Sequence, residues 1–221
     1  MRQLILTKDG SHSISVGSSG LTYHSTNGAI QESKHVFIEA GLHKVNSPEI
    51  KVFEMGLGTG LNALLTLTEP QKDIYYECIE AYPLEKDLIQ QLNYCDQLSR
   101  PDLKPAFEKI HTCNWNEEIS ITPFFRFKKI CIPLEQYRSS AKFNVIYFDA
   151  FAPNDQPELW TKEIFEKLYP ILVPGGILVT YSSKGSIRRN LIAAGFKVEK
   201  IPGPPGKHEI VRAIKSSNLI A

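Results

Sequence analysis

The rhythm of apolar and polar positions changes at Pro48. Before it, residues 4–16 alternate around Asp9-Gly10, a pair suited to the tight turn of a hairpin, and a helix is expected over residues 28–44. After it, short apolar runs alternate with helical stretches, the signature of βαβ units on a mainly parallel sheet. The pattern predicts strands at 50–55, 74–81, 143–148 and 176–181, and helices at about 60–68, 84–95, 157–169 and 184–194. Residues 117–136, rich in Ile, Phe and Lys and broken by Pro123 and Pro133, read as a small hairpin excursion. The end reads as two strands, 196–200 and 208–214, joined by the stiff turn Pro202-Gly203-Pro204-Pro205-Gly206. The expected architecture is α/β, with a final antiparallel hairpin appended to a mainly parallel sheet and an N-terminal hairpin and helix. Its expected divisions are 1–48 for the N-terminal extension and 49–221 for the main domain.

Composition narrows the class. The 221 residues suffice for one generous core, and 42% hydrophobic with 22% charged residues is ordinary for a folded globular chain. Cys78, Cys95, Cys113 and Cys131 are separated by 17, 18 and 18 positions with no C-x-x-C pair, so no structural zinc site is expected, and no other metal is assigned. His35 and Glu39 lie four apart on the first helix but lack the second histidine of H-E-x-x-H, so they read as surface or packing residues. No apolar run approaches the roughly 20 residues of a membrane helix, and the first nine residues become charged too early for a secretory signal. A cytoplasmic protein is expected; its oligomeric state is not legible.

Charge is unevenly spread. Residues 184–215 hold eight Lys or Arg against Glu199 and Glu209, a local +6, whereas the remainder carries −5. Such asymmetry suits either a face that meets a polyanion or a solvated helix and strand pair.

The chemistry concentrates where strands end. Val52-Phe53-Glu54-Met55 runs into Gly56-Leu57-Gly58-Thr59-Gly60-Leu61-Asn62, an apolar strand followed by E-x-G-x-G-x-G and a helix. Glycines are needed where the chain turns sharply and lets a ligand lie on bare backbone. A dinucleotide fingerprint beginning at Gly56 needs Gly or Ala where Leu61 stands, which favours S-adenosylmethionine over nicotinamide or flavin cofactors. Glu54 would anchor the loop or receive the cofactor's ammonium through water, and Glu80, closing the next strand, would accept hydrogen bonds from the ribose hydroxyls. Asn114 and Trp115 offer an amide and an indole for the adenine, although Asn114 would equally cap the following turn.

The run Val145-Ile146-Tyr147-Phe148-Asp149-Ala150-Phe151-Ala152-Pro153 delivers an acid, an aromatic ring and a proline beyond the carboxyl end of a strand, where ligands of open α/β sheets bind. Asp149 is the candidate for chemistry, because an amine nucleophile must lose a proton and be aimed at the methyl group. Phe151 would stack on a flat base. The bland alternatives are a loop cap for Asp149 and core packing for Phe151.

Taken together, these motifs resemble the tRNA 5-aminomethyl-2-thiouridine methyltransferases, found as stand-alone enzymes and as the methyltransferase half of a bifunctional enzyme with a flavin-dependent oxidase. The resemblance extends from Tyr23-His24-Ser25, Asn27-Gly28-Ala29 and Glu32-Ser33-Lys34-His35-Val36-Phe37 through the glycine turn. It continues through Asp149-Ala150-Phe151-Ala152-Pro153, Pro157-Glu158-Leu159-Trp160, Thr180-Tyr181-Ser182 and Arg188-Arg189 to Ala194-Gly195-Phe196. It implies a Rossmann-like class I methyltransferase fold and methylation of the primary amine of a wobble uridine in tRNA, with Asp149 engaging the amine. The implied substrate side comprises Tyr23, Phe151 and Pro153 with the basic residues Lys184, Arg188, Arg189 and Lys207. Two positions depart from the family pattern, Asn154-Asp155 where a Lys is usual and His208 where an Arg is usual. The chain ends soon after its last strand, so no oxidase half is expected and the aminomethyl group would be made by other enzymes. Three rivals are a small-molecule methyltransferase, an aminopropyltransferase such as spermidine synthase, and an RNA-binding module without cofactor affinity.

Overall fold

The computed structural model describes residues 1–17, 20–69 and 72–217. The chain opens with β1 (Arg2–Leu6), β2 (His12–Val16) and β3 (Leu21–Thr22), a separate antiparallel sheet, and the expected hairpin turns at Asp9-Gly10. The first helix is less regular than expected. It comprises α1 (Ala29–Ser33), a π-helical turn at Lys34–Glu39 and a 3₁₀ turn at Leu42–Lys44. Gly41 breaks it: a Cβ there would lie 2.5 Å from the Phe37 carbonyl oxygen, so only glycine lets the chain turn this tightly.

The main unit follows as β4 (Glu49–Met55), α2 (Leu61–Leu67), β5 (Asp73–Ile79), α3 (Lys86–Gln90), α4 (Tyr94–Gln97), α5 (Lys104–Thr112), β6 (Glu118–Thr122), β7 (Phe125–Ile130) and β8 (Phe143–Phe148). It continues with α6 (Lys162–Leu168), β9 (Leu172–Thr180), α7 (Gly185–Ala193), β10 (Lys197–Pro202) and β11 (Glu209–Ile214). Eight strands form one sheet in the order β10-β11-β9-β8-β4-β5-β7-β6. Strands β7, β5, β4, β8 and β9 are parallel, and β6, β11 and β10 are antiparallel to their neighbours.

Both faces of the sheet are covered, which explains the near-continuous apolar strands. Side chains alternate across it: Val52, Val145 and Tyr147 pack with Val36, Phe37, Leu64 and Phe107 on one face, and Phe53, Ile146 and Phe148 with Trp160, Phe165 and Leu191 on the other. The first face draws Ala29, Ile30, Val36 and Phe37 from the N-terminal segment into the core of the sheet.

Further expectations change. Residues 84–95 form two short helices instead of one, because Asn93 turns its amide to the N-terminal hairpin, accepting from the His12 amide and donating to the Gly10 carbonyl. Residues 117–136 do form a hairpin, yet it is no excursion, since β7 pairs in parallel with β5 over Ile74 to Ile79. Helix α5, unforeseen, packs Phe107 and Ile110 into the core.

Candidate active site

The order β8-β4-β5 creates a topological switch at β4, the chain departing to one side through β5 and returning on the other through β8. Crevices at such points, beyond the carboxyl ends of the strands, are where α/β sheets hold ligands. A cleft of about 730 Å³ opens there, lined by the glycine turn, the ends of β5 and β8, the loop after β7, and Tyr23 to Thr26.

The glycine turn is held from three sides. The amides of Gly56 and Leu57 both donate to the Ile79 carbonyl at 3.1 Å, tying it to the end of β5. Gly56 has φ 90°, and a Cβ there would lie 3.0 Å from the Asp149 carbonyl oxygen, so glycine is needed for both conformation and close approach. Gly60 is likewise left-handed and backs onto His111, whose Nε2 lies 3.2 Å from the Thr59 carbonyl. His24 Nε2 lies 2.7 Å from Thr59 Oγ1. Burial holds both imidazoles neutral, each lowered to about 4, with Lys129 adding to the effect at His111.

Glu80 joins the turn to the next loop, its carboxylate accepting from the Gly58 amide at 2.9 Å and the Tyr82 amide at 2.8 Å. Ile132 to Glu135, following β7, continue this end of the cleft, together with Arg2, Ala81 and Tyr82. Glu54 is fully buried beneath the turn and off the cleft, accepting from Asn62 Nδ2 at 2.9 Å. Burial holds its carboxyl well above the usual carboxylate range.

At the other end, Asp149 is half-buried, and the same Asn62 nitrogen donates to its Oδ2 at 2.8 Å. Burial, reinforced by the nearby Glu32 carboxylate, pushes Asp149 up to about 7, against the opposing Asn62 hydrogen bond and Lys207 charge. Glu32 is buried on α1 and pairs with Lys207, while its Oε2 accepts from the Ser25 amide at 2.8 Å. Lys207 also sits 3.9 Å from the centre of the Tyr181 ring, whose hydroxyl donates to the Ala150 carbonyl at 2.7 Å. Phe151 meets the edge of Tyr23 with ring centres 5.0 Å apart, and its backbone is fixed by Trp160 Nε1 and Gln156 Oε1.

The structure therefore brings Tyr23, Gly56, Gly58, Glu80, Asp149, Phe151 and Lys207 into one cleft. Others lie elsewhere. Asn114 donates to Glu117 at 3.0 Å, and Trp115 lies beneath the Lys129 ammonium, 4.6 Å from its ring centre. The turn they occupy links α5 to β6 and is bound through the Asn116 amide to the Lys129 carbonyl, which keeps both off the cleft. Pro153 lines a shallow groove with Pro157, Trp160 and Ser186. Lys184, Arg188 and Arg189 cluster at the start of α7 outside the main cleft, Lys184 reaching Asn154 Oδ1 at 2.7 Å. Glu32, Asn62, Tyr181 and the loop 132–135 were missed from sequence; had β7 been placed in the sheet, its C-terminal loop would have been an obvious candidate.

The family model of S-adenosyl-L-methionine-dependent methyltransferases matches residues 78–216. The chain belongs to this family. The methyltransferase is 28% identical over 215 residues to the tRNA 5-methylaminomethyl-2-thiouridine biosynthesis bifunctional protein MnmC of Pseudomonas entomophila, covering 87% of this chain and 32% of that protein. The same protein of Aeromonas salmonicida is 28% identical, covering 85% and 32%. The chain thus spans about a third of the length of these curated relatives. Among solved structures, MnmC2 from Aquifex aeolicus superposes with a TM-score of 0.75 at 23% identity, covering 99% of this chain and 71% of that one. Spermidine synthase from Thermotoga maritima superposes with a TM-score of 0.60 at 14% identity, covering 98% and 69%. Both likenesses bear on the fold alone, which is the class I methyltransferase architecture.

S-adenosylmethionine is the cofactor of the family, and the cleft fits it. Its volume lies in the range of small-molecule sites, Glu80 is presented at the end of the strand after the glycine turn, and the lining acids Glu32, Glu80, Glu135, Asp149, Asp155 and Glu158 outnumber Arg2 and Lys207. A cationic cofactor and an amine substrate are both favoured by that balance. Among the described residues, no helix is long and apolar enough to cross a membrane.

Proposed function

We propose that this methyltransferase converts the aminomethyl group of a wobble (thio)uridine in tRNA to methylaminomethyl, acting in the cytoplasm. The observation that carries the reading is Asp149, a half-buried carboxylate raised to about 7 beside an aromatic wall of Tyr23, Phe151 and Tyr181. The name borne by the MnmC relatives supports the same substrate.

S-adenosylmethionine supplies an electrophilic methyl group on a sulfonium sulfur. The chain's own residues prepare the nucleophile. Asp149 accepts a hydrogen bond from the substrate amine and takes its proton, and a carboxylate near 7 is a far better base at physiological pH than one near 4. Phe151 and Tyr23 offer apolar surface to a flat base, and Glu80 holds the ribose of the cofactor. Lys184, Arg188 and Arg189, at the start of α7, meet the phosphate backbone, and Asn114 and Trp115 are given no part.

Labelled S-adenosylmethionine incubated with tRNA from cells lacking the modification, followed by nucleoside analysis, tests this directly. Label in methylaminomethyl-uridine is expected. Label in low-mass amines with none in tRNA would transfer the assignment to a small-molecule methyltransferase, and reaction only with decarboxylated cofactor to an aminopropyltransferase.

A further inference from the structure

Asn62 is the second residue of α2, directly after the glycine turn, and is 2% exposed. Its single amide nitrogen donates both to Glu54 at 2.9 Å and to Asp149 at 2.8 Å, whereas its carbonyl oxygen is buried with no partner. A buried, unpartnered amide oxygen calls for an explanation. Turned over, the amide would lose its hydrogen bond to Asp149 and set its oxygen against that carboxylate, so the ionised form of Asp149 dictates the orientation.

Among the described residues, Asn62 is the one hydrogen-bond donor to the Asp149 carboxylate; Oδ1 has no protein partner and is open to the cleft. The other charged or titratable groups facing Asp149 are Glu32 from α1, Glu54 from β4, Tyr181 after β9, and Lys207 before β11. Of these only Lys207 is a cation, and it is committed to Glu32.

We propose that Asn62 is a positioning residue for methyl transfer, pinning Asp149 by Oδ2 so that Oδ1 is the oxygen offered to the substrate amine. The same bridge couples the cofactor turn to the proton acceptor. The inference rests on the reading of Asp149 as proton acceptor, and its first test needs no substrate.

Carboxyl-carbon nuclear magnetic resonance of the full chain, with Asp149 assigned by Asp149→Asn, follows its titration in the wild type, Asn62→Leu and Asn62→Gln. In Asn62→Leu, loss of the donor moves the Asp149 midpoint up by about one unit, the scale of one hydrogen bond to the charged form. Asn62→Gln, which keeps an amide donor, returns part of that shift; Asn62→Ser replaces Asn62→Leu if the latter does not fold. The acid limb of the methylation rate moves with the midpoint, a roughly fivefold loss at pH 7 when a midpoint of about 7 rises by one unit, while cofactor Kd changes by less than about threefold. An Asp149 midpoint in the folded variant equal to wild type overturns the proposal. If the Asn62 variants show the shift but the wild-type protein methylates no tRNA, the substrate assignment is overturned and the role of Asn62 stands.

Discussion

The Gly58 amide donates to Glu80 Oε2 at 2.9 Å, so the acid that closes β5 is fixed to the glycine turn before any ligand arrives. The Tyr82 amide fixes the other oxygen. A carboxylate held this way offers its remaining lone pairs in set directions, which suits paired hydroxyl donors. Glu80→Ala is expected to weaken S-adenosylmethionine binding by about 1.5–3 kcal/mol, the worth of charge-assisted hydrogen bonds. Isothermal calorimetry checks this, and equal affinity in the variant would remove Glu80 from the ribose site.

Lys207 lies in the cleft, over Tyr181 and paired with Glu32, apart from Lys184, Arg188 and Arg189, the basic residues grouped with it on the substrate side. Replacing it with Met removes the cation and leaves a buried carboxylate supported, among the described residues, only by the Ser25 amide. Complete removal of one partner from a buried pair costs about 3–5 kcal/mol, and the partial exposure of Lys207 reduces this to about 1–3 kcal/mol. Chemical denaturation of Lys207→Met measures the loss. A variant as stable as wild type would show the pair to be dispensable.

Much of this arrangement was readable in advance. The strands β4, β5 and β8 are mostly apolar or aromatic, and a glycine turn or an acid marks the end of each, so local pattern and site coincide. The place of β7 in the main sheet escaped because Arg126, Lys128 and the fully buried Lys129 interrupt its apolar character, and its parallel pairing with β5 depends on a partner about fifty residues away. Glu32 escaped for a related reason: an acid on an amphipathic segment reads as surface until Lys207, 175 positions later, is brought to it.

His24 and His111 flank Thr59, and burial lowers each from 6.5 to about 4. In the unfolded chain these imidazoles take up protons near 6.5, whereas the native ones resist until about 4, so the unfolded state binds more protons within that window. Their contribution is therefore present above pH 6.5 and lost as pH falls toward 4. The limit is about 3 kcal/mol for each residue. Replacing His24 with Gln should flatten the fall of Tm between pH 7 and pH 5, as scanning calorimetry would record; an unaltered fall would show that another group governs acid lability.

The start of α7 presents Lys184, Arg188 and Arg189 without an acidic residue in its first turn. If this end meets the tRNA backbone, each phosphate neutralised releases counterions and steepens the salt dependence. Changing both arginines to Ala should flatten the slope of log affinity against log salt by up to about 2. Lys207→Met, altering a residue paired inside the cleft, should leave that slope nearly unchanged. Filter binding across a salt series separates the two sites, and an unchanged slope in the arginine variant would return α7 to solvent.

Asp149→Asn retains the shape of the side chain and removes its charge, so it distinguishes proton acceptance from loop closure. Turnover is expected to fall about 10²-fold or more, the scale of a general base, while cofactor affinity changes by less than about 1 kcal/mol. Stability should move the other way. The carboxyl is raised from 3.8 to about 7, so between these values the native state holds a proton that the unfolded chain has released. Its contribution consequently declines as pH rises through the window and is least favourable above 7. The full shift corresponds to roughly 4 kcal/mol, and solvent at the half-buried group reduces this to about 1–2 kcal/mol. Asp149→Asn should therefore be more stable than wild type at pH 8 by about that amount, with the difference closing near pH 4. A variant that loses activity and also stability at pH 8 would identify Asp149 as a loop cap, because a residue retained for its reactivity at a cost in stability predicts the opposite sign.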